Sequence, residues 1–128
     1  MNISKVQILL STYNGEKYLK EQLDSLLAQD YPNIDILIRD DGSKDSTKQI
    51  LTGYENHKNI SVIYGSNIGI TASFLELLKI SDPEAEFFAF CDQDDVWLKD
   101  KISRAVGFLD QYPKENSLLY CSRTTLVD

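Results

Sequence analysis

The chain has 128 residues, 42% hydrophobic and 26% charged, a size and mix that suit one globular domain around a single core. Thirteen basic against twenty acidic residues give a net charge of -7, which argues against nucleic acid or an anionic membrane surface as the main partner. No apolar run approaches the ~20 residues of a membrane span and no basic-then-apolar leader opens the sequence, so a cytoplasmic protein is expected.

Val6-Gln7-Ile8-Leu9-Leu10 reads as a first strand, followed by the polar loop Ser11-Thr12-Tyr13-Asn14-Gly15. Between Glu16 and Gln29, Leu19, Leu23, Leu26 and Leu27 line one helical face, and Tyr31-Pro32-Asn33 ends that helix. Ile34, Ile36, Leu37 and Ile38 make a second strand ending in Arg39-Asp40-Asp41-Gly42-Ser43, and Ile50, Leu51 and Tyr54 mark a second helix. A third strand, Ile60 to Tyr64, stops at Gly65-Ser66-Asn67-Ile68-Gly69, and a helix follows with Ile70, Phe74, Leu77 and Leu78 on one face. Phe87 to Cys91 is the fourth strand. After an acidic loop, a helix beginning near Leu98 carries Ile102, Ala105, Val106 and Leu109 and runs to Tyr112-Pro113, and Ser117 to Cys121 reads as a fifth strand. Strands alternating with helices predict an α/β fold: a mainly parallel, Rossmann-like sheet with right-handed crossovers and helices on both faces, its strands buried from both sides.

In such sheets ligands bind beyond the carboxyl ends of the strands. Those ends carry Ser11-Thr12-Tyr13, Asp40-Asp41, Asn67 and Asp92-Gln93-Asp94, so the polar residues are expected along one edge. Asp92 and Asp94 are two apart and on a regular strand would share a face, with Asp95 pointing elsewhere. Mutual repulsion makes such a cluster costly unless it holds a hard divalent cation, Mg2+ or Mn2+, whose shell is completed by substrate phosphate and water. The competing structural reading makes these residues caps for the following helix.

Gly42 permits a positive φ after Asp40-Asp41, and Ser43 or Asp45 can cap the helix behind it. A carboxylate there can accept from the N–H of a uracil- or thymine-type base, or simply pair with Arg39. Tyr13 offers an aromatic face for stacking. Asn67 and Gly69 suit a tight turn before a helix whose N-terminus favours negative charge. Cys91 and Cys121 read as reduced core residues, His57 as a surface residue and Trp97 as an anchor of the acidic loop. No Gly-x-Gly-x-x-Gly or Gly-Lys-Ser/Thr occurs, and the lone histidine supports neither a Ser-His-Asp set nor a Cys-His pair.

Val6 to Asn14, Leu23-Asp24-Ser25-Leu26-Leu27-Ala28-Gln29, Asp40 to Thr47, Asn67-Ile68-Gly69 and Asp92-Gln93-Asp94-Asp95 together resemble the family 2 glycosyltransferases of GT-A fold, in order and over nearly the whole chain. The resemblance implies inverting transfer of a sugar from a nucleotide diphosphate donor with a bridging divalent metal. By motif position, Ser11, Thr12 and Tyr13 would line the nucleoside pocket, with Asn67 also on the donor side. Asp41 would hold the base, Asp92 would contact the ribose, and Asp94 would ligate the metal. Two departures stand out: many relatives have Pro at the place of Ser11, and an Arg-Asn pair where this chain has Phe74-Leu75.

The wording around Ser11 to Glu16 and Cys91 to Trp97 looks most like bacterial rhamnosyltransferase-type members that build surface polysaccharides. This implies a UDP- or dTDP-sugar donor, a saccharide or lipid-linked acceptor, and peripheral association of the full-length enzyme with the inner membrane face. Residues 1–128 are then expected to form the donor-binding part of a longer enzyme, with the general base beyond Asp128. Two alternatives compete: a non-catalytic binding module that kept the fold, and a phosphoacceptor receiver domain. A receiver would need an acidic pair after the first strand, where Ser11-Thr12-Tyr13 stands.

Overall fold

The structure is a computed structural model and describes residues 3–112; the expected fifth strand and Cys121 lie outside them. The chain runs β1 (Val6–Thr12), α1 (Leu19–Leu27), β2 (Ile34–Asp40), α2 (Thr47–Tyr54), β3 (Ile60–Tyr64), α3 (Ile70–Ile80), β4 (Phe87–Cys91) and α4 (Lys101–Leu109). The four strands form one parallel sheet in the order β3-β2-β1-β4, as the alternation predicts. The β1 and β2 ladder extends past the apolar run through Ser11↔Arg39 and Thr12↔Asp40, because these polar side chains find buried partners and the backbone keeps pairing.

Side chains alternate across the sheet. Val6, Ile8, Leu10, Ile36 and Ile38 face Leu19, Leu23 and Leu26 of α1, Leu51 of α2, and Ile102 and Val106 of α4 in the main core. Leu9 and Leu37 face the other way, against Leu77 and Phe74 of α3. Leu19, Leu23 and Leu26 are each no more than 1% exposed. Burying each contributes roughly 1.5–3 kcal/mol, which makes α1 a firm rail under the carboxyl ends of β1 and β4.

Three expectations are corrected. The buried face of α3 is turned toward Ser73 and Leu77, leaving Ile70 59% and Leu78 40% exposed. Hydrogen bonds from Ser11 and Arg39 to Ser73 supply the reason, since they draw that side of the helix onto the sheet. Secondly, β4 is not covered from both sides by the described residues: Phe88 and Phe90 are 40% and 52% exposed on the α3 side, where α3 packs over β1 and β2. Finally, α4 starts at Lys101 rather than near Leu98, which stands 72% exposed in the preceding loop. His57 is exposed, as expected, in the turn after α2 beside Tyr54.

Candidate functional site

From β1 the chain winds outward through β2 and β3, then returns to place β4 on the opposite side of β1. The strand order reverses there, and in open α/β sheets that switch point, beyond the carboxyl ends of β1 and β4 with the end of β2 alongside, is where ligands bind.

The two aspartates after β2 are both buried, Asp40 at 0% and Asp41 at 3% exposure. Asp40 accepts from Thr12 Oγ1 at 2.9 Å, Ser43 Oγ at 2.6 Å and Ser43 N at 2.9 Å, so it clamps the turn to β1. Gly42 makes that turn possible at φ +80°, and a Cβ there would lie 2.9 Å from Asn67 N. Behind it, Asp45 accepts from Thr47 N at 2.9 Å at the start of α2, whereas Ser43 Oγ also receives Asn14 N at 2.9 Å.

Asp41 Oδ1 accepts from Arg39 Nη1 at 2.7 Å and Ile68 N at 2.9 Å, and Oδ2 from Gly69 N at 3.0 Å. Burial alone would raise its pKa, but the Ile68 N–H, the Arg39 guanidinium and the Gly69 N–H outweigh it and hold the carboxyl below the ordinary aspartate value. One lone pair remains on Oδ2. Arg39 also donates to Ser73 Oγ at 3.0 Å and Ser66 O at 3.1 Å, and Ser11 Oγ donates to Ser73 Oγ at 2.6 Å. The hydroxyls of Ser11 and Thr12 are thus turned into the protein, Ser11 beneath α3 and Thr12 onto Asp40.

Tyr13 and Asn67, by contrast, are exposed at the carboxyl edge, Tyr13 at 40%. Asn14 holds φ +48° and its Oδ1 accepts Lys44 N at 2.8 Å, while Gly15 N donates to Thr47 Oγ1 at 2.9 Å. The first loop is therefore pinned to the loop after β2.

The acidic segment is a turn, not a continuation of β4. Asp95 N donates to Asp92 O at 3.2 Å and Asp94 sits at φ +74°, so the strand geometry that would put Asp92 and Asp94 on one face does not apply. Both carboxylates nevertheless stand exposed. Asp95 is more enclosed, and its pKa is raised first by burial and then by the nearby charges of Asp92 and Asp94, against a lowering by Lys101.

From below, α1 and Gln29 just after it hold this turn and the loop that follows it. Gln22 Nε2 donates to Asp92 O at 2.6 Å, Ser25 Oγ accepts Trp97 N at 3.1 Å, and Gln29 donates to Leu98 O at 2.7 Å while accepting Ile102 N at 3.1 Å. Trp97 is 7% exposed and anchors the loop as expected, with Lys101 Nζ 4.7 Å from its ring centroid. Gln22 Nε2 also lies 3.2 Å from Cys91 Sγ, whose pKa burial pushes up to about 12 despite that contact. From the side, Gln93 Oε1 accepts Tyr13 N at 2.7 Å.

Neither Gln22 nor Ser73 is named in the sequence reading, and Gln93 is named there only within the run Asp92-Gln93-Asp94, with no role of its own. Gln22 had a detectable signal: it lies three residues after Leu19 on the leucine face, a place for an apolar side chain. Among the described residues no three His, Cys, Asp or Glu side chains converge as a metal cage. One or two exposed carboxylates remain, a donor set that fits a hard cation only when phosphate oxygens and water complete its shell.

The description "Glycosyl transferase family 2" matches residues 7–121. An uncharacterized glycosyltransferase of Rickettsia prowazekii is 33% identical over 116 residues, covering 91% of this chain and 35% of that protein. The Staphylococcus aureus poly(ribitol-phosphate) beta-N-acetylglucosaminyltransferase TarS is 32% identical over 117 residues, 90% of this chain and 20% of its own. The chain thus spans about a third or less of these relatives' length. In structure, S. aureus TarS 1-349 in complex with UDP-GlcNAc superimposes with TM-score 0.76 at 35% identity, over 84% of this chain and 31% of that one. A mannosyltransferase from Pyrobaculum calidifontis, solved with GDP-Man and Mn2+, shares the fold at TM-score 0.75 and 24% identity, over 82% of this chain and 32% of its own.

Proposed function

The chain belongs to glycosyl transferase family 2 and has the GT-A fold, and on that premise we propose that it is the donor-binding part of an inverting enzyme using a UDP- or dTDP-sugar. The observation that carries this reading is the meeting of two exposed groups at the switch point: Tyr13 after β1 and the Asp92-to-Asp95 turn after β4, joined by the 2.7 Å bond from Tyr13 N to Gln93. The aromatic face suits a base and the carboxylates suit a cation shared with a diphosphate. A TarS structure holds UDP-GlcNAc, which favours uracil over thymine and weakens the rhamnosyl reading in favour of an N-acetylhexosamine donor.

Each side chain then has a defined task. Asp41 keeps one acceptor position on Oδ2 for a base N–H, while its other bonds fix it and the entrance to α3. Asp92 takes the ribose hydroxyls. Asp94 holds a divalent metal, which when bound offsets charge developing on the departing nucleoside diphosphate. Ser11 and Thr12 serve through the backbone, their hydroxyls being committed to Ser73 and Asp40. The general base for the acceptor hydroxyl belongs to a part of the enzyme beyond this chain, and the acceptor is a saccharide or lipid-linked saccharide of a bacterial surface polymer.

Thermal unfolding with UDP and Mn2+ tests the reading. Ligand at 100 times its Kd adds ~2.7 kcal/mol of stability. Asp94→Ala is expected to remove the Mn2+-dependent part of the rise in Tm. A folded sample whose Tm ignores UDP and dTDP, each with Mn2+, refutes the proposal.

A further inference from the structure

We propose that Gln93, the residue between the exposed carboxylates, is a positioning residue that couples the nucleoside-side loop to the acidic turn, so that metal and nucleotide bind cooperatively. The inference rests on the donor-binding reading above and deepens it.

Gln93 lies eighty residues from Tyr13, in the turn closed by Asp95 N and Asp92 O, yet its Oε1 accepts the Tyr13 backbone N–H at 2.7 Å. Its side chain lies on Gly15, where an added Cβ would meet Cδ at 3.0 Å, Oε1 at 3.2 Å and Nε2 at 3.3 Å. A larger residue at position 15 would push the amide away, so the first loop is shaped to receive it. The rest of that loop faces the opposite direction: Asn14 N and Gly15 N donate to Ser43 Oγ and Thr47 Oγ1 after β2. Gln93 thus joins a loop anchored on the β2 side to a turn whose other support is Gln22 on α1.

Asp94, at φ +74°, occupies a conformation unfavourable to a side-chain-bearing residue unless its neighbours hold it. Gln22 holds the Asp92 carbonyl and Gln93 is held by Tyr13, which fixes the two residues before Asp94, while Asp95 N on Asp92 O closes the turn after it. A cation that orders Asp94 therefore orders Gln93, and through its bond to Tyr13 N orders the ring proposed to stack on the base. By linkage, nucleotide orders the turn for the cation in equal measure.

The test compares Gln93→Met, similar in shape but without the acceptor, with Gln93→Glu, which restores an acceptor oxygen. Calorimetry measures the UDP Kd with and without saturating Mn2+, and amide hydrogen exchange of Tyr13 is followed in protein free of ligands. In Gln93→Met the metal-free UDP Kd is expected to rise, since Tyr13 loses its tether, and the coupling is read from the Mn2+ factor instead. The factor by which Mn2+ tightens UDP should fall at least about fivefold, and Tyr13 N–H should exchange at least about fivefold faster, for a coupling of ordinary size. Gln93→Glu should recover both the factor and the protection, whatever its effect on metal affinity alone. An unchanged Mn2+ factor in Gln93→Met, or equal loss in Met and Glu variants, overturns the coupling role while leaving donor binding intact. Wild-type protein that binds UDP with no Mn2+ enhancement also overturns it, and wild type that binds neither UDP nor dTDP refutes the donor reading itself.

Discussion

Arg39→Met removes one half of an ion pair whose side chains are 8% and 4% exposed, and the consequences can be worked from the bonds lost. Asp41 keeps Ile68 N and Gly69 N but loses the guanidinium at 2.7 Å, while Ser73 Oγ and Ser66 O lose a donor. Breaking a buried pair by truncating one partner costs about 3–5 kcal/mol, and the two surviving backbone donors put this case near 3. With a urea slope of ~1–3 kcal/mol/M, the midpoint should fall by about 1–3 M at pH 7. The pH dependence has a definite sign. Asp41's folded pKa lies below its unfolded value of ~3.9, so its contribution is present above about pH 4 and is lost as pH falls through the folded pKa. In the variant the orphaned carboxyl takes a proton more readily, so the stability gap between wild type and Arg39→Met should narrow as pH falls from about 7 through about 4 toward about 3. Urea unfolding followed by circular dichroism at several pH values reads both quantities. A cost under about 1 kcal/mol, or a gap that holds constant or widens down to about pH 3, refutes the account.

Gly65→Ala should act on the same network from outside: its Cβ would fall 2.1 Å from Arg39 Nη2 and 2.6 Å from Cζ, an overpacking expected to cost about 1–3 kcal/mol in urea unfolding. Gln22→Leu fills the same space but leaves the Asp92 carbonyl without its 2.6 Å donor. It should lower stability by about 1–3 kcal/mol and weaken Mn2+-dependent UDP binding more than metal-free UDP binding. Cys91, fully buried with its thiol pushed up to about 12, should resist alkylation at pH 8 in the folded protein and react at the rate of unfolding, as mass spectrometry of its peptide would show.

The order and kind of the elements in the described residues were readable because each carries a local period: leucines at helical spacing in α1, short apolar runs for the strands, and Gly or Pro between them. The ends were less so. β1 and β2 run on through Ser11-Thr12 and Arg39-Asp40 because each polar side chain there meets a partner from another element, which no period announces. The buried face of α3 departs from its apolar stripe for the same reason. Ile70, Phe74, Leu77 and Leu78 make the more apolar stripe, yet Ser73 is drawn inward by Arg39 and Ser11. A buried guanidinium needs acceptors, and that requirement outweighs the burial of one isoleucine at the helix surface.

The same distinction separates the four aspartates that a sequence presents alike. Asp40 and Asp41 follow an apolar strand, as Asp92 and Asp94 do, but the first pair is buried with three hydrogen bonds to each carboxylate and the second stands open. What divides them is the neighbouring loop. Behind Asp41 the Ile68-Gly69 backbone brings two N–H groups and Arg39 brings a charge, so the carboxylate's charge is balanced within the protein and a single acceptor position on Oδ2 remains. Around Asp92 and Asp94 the donors go elsewhere: Gln22 to the Asp92 carbonyl, and Tyr13 N to the Gln93 amide. The turn is therefore held firmly by its backbone and its middle side chain while Asp92 and Asp94 stay exposed, and the pKa of the Asp95 carboxyl is raised first by burial and then by the charges of Asp92 and Asp94 that no donor in the turn offsets.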